Sequence, residues 1–260
     1  MFFILFFISI GSALSTEVPK ELQGIGTVEK LGQNVDVTGL HFKDENGQDV
    51  TLSQVMRPGK PAFLALIYYE CPNLCNILLN AFVDQIKKLD WSVGDQYDII
   101  AVSIDPRETP EIARKKKESY LSAYGRVSAR GGWHFLTGAS TEINRLSEQV
   151  GFRFRWNEET KQFAHGAVMH VLTPEGKISR YLYGISFPTR DLKLSLLEAS
   201  RGKVGSLADQ VLLFCYKYQG PGHGYALQVE RVMQLGAAFT LLILGGYLLW
   251  FWRRQMRASS

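Results

Sequence analysis

The sequence predicts an α/β core built on a mixed sheet, and three stretches carry that prediction. Ala62 to Ile67 is a short apolar run bounded by Pro61 and, past Tyr68-Tyr69-Glu70-Cys71, by Pro72; apolar residues then recur at helical spacing from Asn76 to Phe82. Such a run reads as a buried strand feeding a helix. Tyr97 to Ile104 repeats the pattern, halted by Asp105-Pro106 and followed by a helix from Thr109-Pro110-Glu111 to about Tyr124. Proline fits the first turn of that helix, where its missing N–H costs little. Later, strands over 165–172 and 177–184 are joined by the turn sequence Thr173-Pro174-Glu175-Gly176-Lys177. Strands alternating with helices and ending in a hairpin imply a mixed central sheet.

Taken in order, Met1 to Ile10 is apolar but too short to span a bilayer, and small residues at 13 and 15 fit a signal-peptidase site, so 1–15 reads as a signal peptide. It lacks the usual basic flank, which keeps an uncleaved anchor as the alternative. The main domain is expected over 16–201. After a polar lead from Val18 to Lys30, Val35–Leu40 and Phe42–Leu52 suggest an N-terminal β-hairpin around Asp44-Glu45-Asn46-Gly47. The first long helix is expected over 74–89. Trp133–Thr137 reads as extended, Ser140 as the cap of a helix through Val150, Phe152–Trp156 as extended with alternating polarity, and 189–201 as the last helix of the domain.

Residues 202–234 read as a linker, and Leu235–Trp252 is free of charge over a length that just suffices for a transmembrane helix. Arg253, Arg254 and Arg257 follow, so 253–260 is expected to be a cytoplasmic tail with the body of the protein outside the cytoplasm. Tyr247, Trp250 and Trp252 suit an interfacial belt. The formal net charge of +4 is small and dispersed, and Lys115-Lys116-Lys117 reads as a solvated helix face. No nucleic-acid motif is present.

The chemistry concentrates at Cys71 and Cys75, on the turn between the first strand and helix. Four residues apart, one helical turn, their sulfurs can face one side and either bind a soft metal ion or close a disulfide; plain burial is the bland alternative. A thiol at a helix N-terminus is expected to have a lowered pKa. A two-sulfur site for a soft ion wants a further donor, and imidazole suits copper as well as zinc. Among five histidines, His165 opens a predicted strand, whereas His170, five residues on, should face the other side of the sheet. Spacing alone does not select His165.

Tyr68 to Cys75 with its C-P-x-x-C core, Val102-Ser103-Ile104-Asp105-Pro106 through Thr109-Pro110, Phe135-Leu136-Thr137-Gly138, His165 to Met169, Pro174-Glu175-Gly176 and Tyr183-Gly184 together resemble the Sco/SenC family, over roughly residues 30 to 200. The resemblance implies a thioredoxin-like fold, a copper ion held by Cys71, Cys75 and His165, and a role in building the binuclear copper site of cytochrome c oxidase or in keeping its cysteines reduced. It implies the copper-bearing oxidase subunit as partner, with a copper donor or thiol reductant, and a place on the outer side of the cytoplasmic membrane. The chain departs from the family in its loop Asp105-Pro106-Arg107-Glu108-Thr109, one residue tighter than D-P-x-R-D-T, and in a C-terminal anchor. Cys215 with His223 lies beyond the shared region, as an inert thiol or an accessory donor.

A copper carrier is thus the leading reading, ahead of an enzyme. A thiol–disulfide oxidoreductase is the main rival, although such reductants usually carry C-x-x-C. A membrane-bound copper or redox sensor is a third class.

Overall fold

The computed structural model of the chain describes residues 24–72, 74–200, 216–218, 225–227 and 229–258; the side chain of Leu74 is not included, and beyond 200 side chains are described only at 233, 234 and 236–252. The predicted signal 1–15, together with Cys215 and His223, lies outside the described residues.

Apolar runs build the centre. β4 (Ala62–Ile67) and β5 (Asp98–Ser103) are buried along their whole length and pair in parallel, Ala62 opposite Asp98 through Ile67 opposite Ser103. β6 (Trp133–Leu136) adds a third parallel strand beside β5. On the other side of β4, β9 (Val168–Leu172) runs antiparallel, followed by β10 (Ile178–Tyr183), giving the sheet order β10-β9-β4-β5-β6. Strands buried on both faces need helices over them. These are α2 (Leu74–Ile86), α3 (Pro110–Tyr124), α4 (Ser140–Gln149) and α5 (Thr189–Ala199). The mixed sheet is the one predicted and agrees with a thioredoxin-like arrangement.

α2 ends at Ile86, short of the predicted 89, and buries Leu78, Leu79, Phe82, Val83 and Ile86. The Phe82 ring meets Phe63 edge-on at 5.0 Å and Phe187 at 5.9 Å, aromatic contacts that add to burial. α3 starts as predicted: the Thr109 side chain accepts from the Ile112 N–H, and Pro110 opens the helix. α4 corrects the expected cap, because Ala139 holds the N-cap position and Ser140 is already helical.

The N-terminal hairpin is narrower than expected. β2 (His41–Lys43) pairs with β3 (Asp49–Thr51), and the short α1 (Leu52–Val55) follows. Val35–Leu40 does not join the hairpin, because Asp36 accepts from the Gly39 N–H at 2.8 Å and turns the chain there. Glu45, at the hairpin tip, pairs with Lys117 of α3, both buried. Lys117 therefore leaves the predicted solvated lysine face.

A second sheet was not predicted. β1 (Gly26–Thr27), β7 (Phe152–Asn157) and β8 (Gln162–His165) associate in the order β1-β7-β8, with Phe154 opposite His165 and Trp156 opposite Phe163. The expected strand 165–172 is thus two strands, broken at Gly166-Ala167, and His165 ends the first of them instead of opening the second. Gly151 lets β1 approach: its φ is +68°, and a Cβ there would lie 1.9 Å from the Val28 carbonyl oxygen.

In the predicted linker, β11 (Tyr216–Tyr218) and β12 (Tyr225–Leu227) pair antiparallel. α6 (Val229–Ala258) then runs for 30 residues, through the predicted tail. Among the described residues no helix is long and apolar enough to cross a membrane; Leu235, the first residue of the predicted span, is outside the described side chains.

Candidate metal centre

The β4–α2 turn positions both sulfurs. Cys71 and Cys75 are buried and in the thiol form, not joined as a disulfide, and the Cys75 N–H points at Cys71 Sγ over 3.4 Å. An unpaired N–H at a helix start is a natural donor to sulfur. Asn76 braces the turn, its Nδ2 donating to the Cys71 carbonyl at 2.7 Å while its Oδ1 accepts from Lys116 Nζ at 2.6 Å. The Tyr68 hydroxyl hydrogen-bonds the Cys71 side chain.

His165 arrives from the second sheet, and its Nε2 lies 3.3 Å from Cys75 Sγ. Its Nδ1 is 2.9 Å from the Gly166 carbonyl oxygen, which can only accept, so the proton sits on Nδ1 and the Nε2 lone pair faces the sulfur. Burial lowers the His165 pKa, partly offset by that carbonyl, which keeps the ring neutral near pH 7. The rings of Tyr68 and Phe152 flank the imidazole at 6.1 and 5.9 Å. The site residues predicted from the sequence are therefore brought to one place, with His165 delivered by a different strand from the one expected.

The alternation argument for His170 fails with that strand. His170 is fully buried in the core, and its ring contacts the same Phe152 ring from 6.1 Å.

Burial reverses the expected thiol acidity. Removal from water pushes the Cys75 thiol well above its ordinary pKa, outweighing the Tyr68 backbone contact and the charge of Lys116 that act the other way. Lys116 is itself half-buried, its pKa lowered by burial and raised in part by the two cysteines and Glu108. Two of three consecutive lysines thus serve the interior. Tyr120 is pushed up to about 12 by burial and by Cys75.

Glu108 was missed by sequence reasoning. Its buried carboxylate accepts the N–H groups of Tyr69 at 2.9 Å and Glu70 at 2.8 Å and the Ser103 hydroxyl at 2.5 Å, so it grips the chain immediately before Cys71. Burial raises its pKa. Glu108→Gln keeps the shape but gives up the anion and turns one donor toward another, which should cost about 1–2 kcal/mol in chemical denaturation at pH 7. A raised carboxyl pKa means the folded state binds a proton before the unfolded one does. Stability owed to this group is therefore full below its ordinary pKa of 4.5 and falls as pH rises through the raised value.

Asp105 does not reach the thiol turn by any described bond. It holds Arg107, accepting from Nε at 2.8 Å and Nη2 at 2.7 Å.

Two soft sulfurs and one neutral imidazole suit a soft monovalent ion such as Cu(I) better than a hard cation. Among the described residues no group of three or more histidine, cysteine or acidic side chains is drawn together closely enough to hold a metal ion as it stands. A three-donor set needs these side chains to draw nearer, and the Cys71 sulfur can keep accepting from the Cys75 N–H as it binds an ion.

The family described as SCO1/SenC matches residues 32–193, more than half of the chain. Comparison with curated proteins finds no match. Among solved structures, a candidate electron transfer protein of Aquifex aeolicus VF5 is 26% identical, with a TM-score of 0.56 over 66% of this chain and 95% of that one. BsSco, a member of the Sco family of cytochrome c oxidase assembly proteins in which a disulfide switch is identified, is 21% identical, with a TM-score of 0.50 over 67% and 98%. ScoI of Arabidopsis thaliana, solved with copper bound, is 22% identical, with a TM-score of 0.49 over 62% and 96%.

Proposed function

Since the chain belongs to the SCO1/SenC family, we propose that it is a copper carrier, which takes Cu(I) as cargo on Cys71, Cys75 and His165 and supplies it to the copper-bearing subunit of cytochrome c oxidase. The approach of His165 Nε2 to Cys75 Sγ, 3.3 Å with the lone pair directed at the sulfur, carries the reading. Three donors leave a low-coordinate site that an acceptor's ligand can enter, whereas four would close it. A copper donor loads the site, and a thiol reductant keeps the pair open to loading.

The domain works outside the cytoplasm, tethered by 235–252 with its C-terminus in the cytoplasm. The uncharged run followed by Arg253, Arg254 and Arg257 supports that placement, as does the apolar stretch from Met1 to Ile10, which we read as an export signal.

Thiol–disulfide exchange on the oxidase cysteines is the second reading, supported by two cysteines in the thiol form one helical turn apart. It gives His165 no part. It also requires a partner sulfur to reach two buried thiols.

The reduced protein should take one Cu(I) per chain in competition with a chromophoric chelator, and none once Cys71 and Cys75 are oxidised to a disulfide. Uptake indifferent to oxidation would remove the thiols from the site, and the proposal with them.

A further inference from the structure

Resting on the copper reading, we propose that Arg107 is a positioning residue for the metal centre, a latch that holds the hairpin bearing His165 against the loop that supports the cysteine turn.

The two halves of the centre come from separate sheets. The cysteines belong to the β4–α2 turn and His165 to the end of β8, and the latter reaches the former only if the β7–β8 hairpin stays seated. Its seat beyond Phe152 is a row of aromatic rings. Trp156 and Phe163 pair across the hairpin with centroids 4.9 Å apart, and Phe163 meets Tyr68 edge-on at 5.6 Å. Tyr68 in turn lies against the His165 ring.

Arg107 closes the row from outside the hairpin. Its guanidinium carbon is 4.4 Å from the centroid of Trp156 and 5.9 Å from that of Phe163. The planar guanidinium is fixed in orientation by the two-pronged bond to Asp105, and Asp105 also accepts the Arg107 N–H at 2.9 Å. A guanidinium held this way can lie on an aromatic face, which a lysine ammonium does not reproduce.

The neighbouring residue gives the latch its meaning. Glu108 grips the Tyr69 and Glu70 N–H groups ahead of Cys71, while Arg107 grips the hairpin that ends at His165. One loop, 105–108, therefore registers sulfur and imidazole against each other. Arg107 touches neither sulfur nor imidazole in any described bond, so its loss removes no candidate metal ligand, although it takes from Asp105 its two-pronged partner.

The test uses the full chain, with Arg107→Ala, Arg107→Lys, Trp156→Phe and His165→Ala. In the metal-free protein, Arg107→Ala should speed hydrogen exchange at amides of the β7–β8 hairpin about tenfold while leaving β4 and β5 unchanged. Its Cu(I) affinity should fall roughly tenfold, the lower end of the cost of losing a ligand's outer support. Arg107→Lys should behave like the alanine variant, and Trp156→Phe, which keeps a ring face, like wild type. In the His165→Ala background the effect of Arg107→Ala on affinity should vanish, because the latch acts only through the imidazole. If Arg107→Ala leaves wild-type affinity within twofold, or costs the same with and without His165, the latch is overturned. A wild-type chain that takes no Cu(I) at all overturns the copper reading instead, and the role of Arg107 falls with it.

Discussion

Cys75→Ala is expected to abolish Cu(I) retention, while His165→Ala leaves a weakened two-sulfur site. The asymmetry follows from what each side chain does. Cys75 Sγ is the atom that His165 Nε2 approaches, and its own N–H reaches Cys71 Sγ, so Cys75 touches both other donors. Without it the remaining sulfur and imidazole have no common contact. Without His165 the two sulfurs still lie one turn apart, and a linear two-coordinate ion can be held. Loss of the imidazole should cost about 100-fold in affinity, the upper end of what loss of a ligand's outer partner costs. Competition against a chelator of known affinity measures both variants in one titration. Equal losses would show that imidazole and thiol contribute alike. The high pKa of Cys75 adds a pH dependence: the ion must displace that proton, so apparent affinity should climb about tenfold per pH unit on account of this thiol alone.

Acid should unfold the metal-free domain through His170. This histidine is wholly buried between Phe152 and Tyr181; its Nδ1 lies 3.1 Å from the Leu64 carbonyl oxygen, and its Nε2 has no hydrogen-bond partner among the described residues. A proton on Nε2 would place a cation in apolar surroundings with nothing to accept from it. Burial thus lowers its pKa from 6.5 to about 4, against the smaller opposing pull of Leu64. A depressed folded-state pKa means the unfolded chain binds the proton first. Stability from this group is full above 6.5 and is lost as pH falls through about 4. At 1.36 kcal/mol per pH unit the loss reaches about 3 kcal/mol. Urea midpoints at pH 7 and pH 4.5 for wild type and His170→Gln check it; an equally steep acid loss in the variant would assign the effect elsewhere. Glu108 acts with the opposite sign, easing part of the loss as its buried charge is neutralised.

The thiol turn and the central sheet were legible in the sequence because both are local. A proline-bounded apolar run, a helical repeat and two cysteines one turn apart specify a strand, a helix and the junction between them. His165 was legible only through its resemblance to the family, since its own surroundings mimic the start of a longer strand. The hairpin that carries it left a fainter trace. Phe152, Phe154 and Trp156 alternate with arginines, but the returning strand is four residues long, and its turn passes through Lys161 at φ 53°, a left-handed conformation that lysine does not advertise. The lysine run shows the opposite limit. Three identical neighbours look equivalent, and only the fold sends Lys117 to Glu45, 72 residues away, and Lys116 to Asn76. Glu108 is the same kind of case, a carboxylate whose three donors are set by tertiary structure.

The pleat of β8 imposes a parity rule on the metal centre. Successive residues of a strand point to opposite sides, so His165 faces Cys75 by virtue of an odd-numbered step from its neighbour Ala164 and an even one from Phe163. Adding or removing one residue between Phe163 and His165 would turn the imidazole to the opposite side with the strand otherwise unaltered, whereas length changes among the exposed residues 158–161 leave that count intact. The bend of the hairpin is thus free to vary in length, and its final three residues are not.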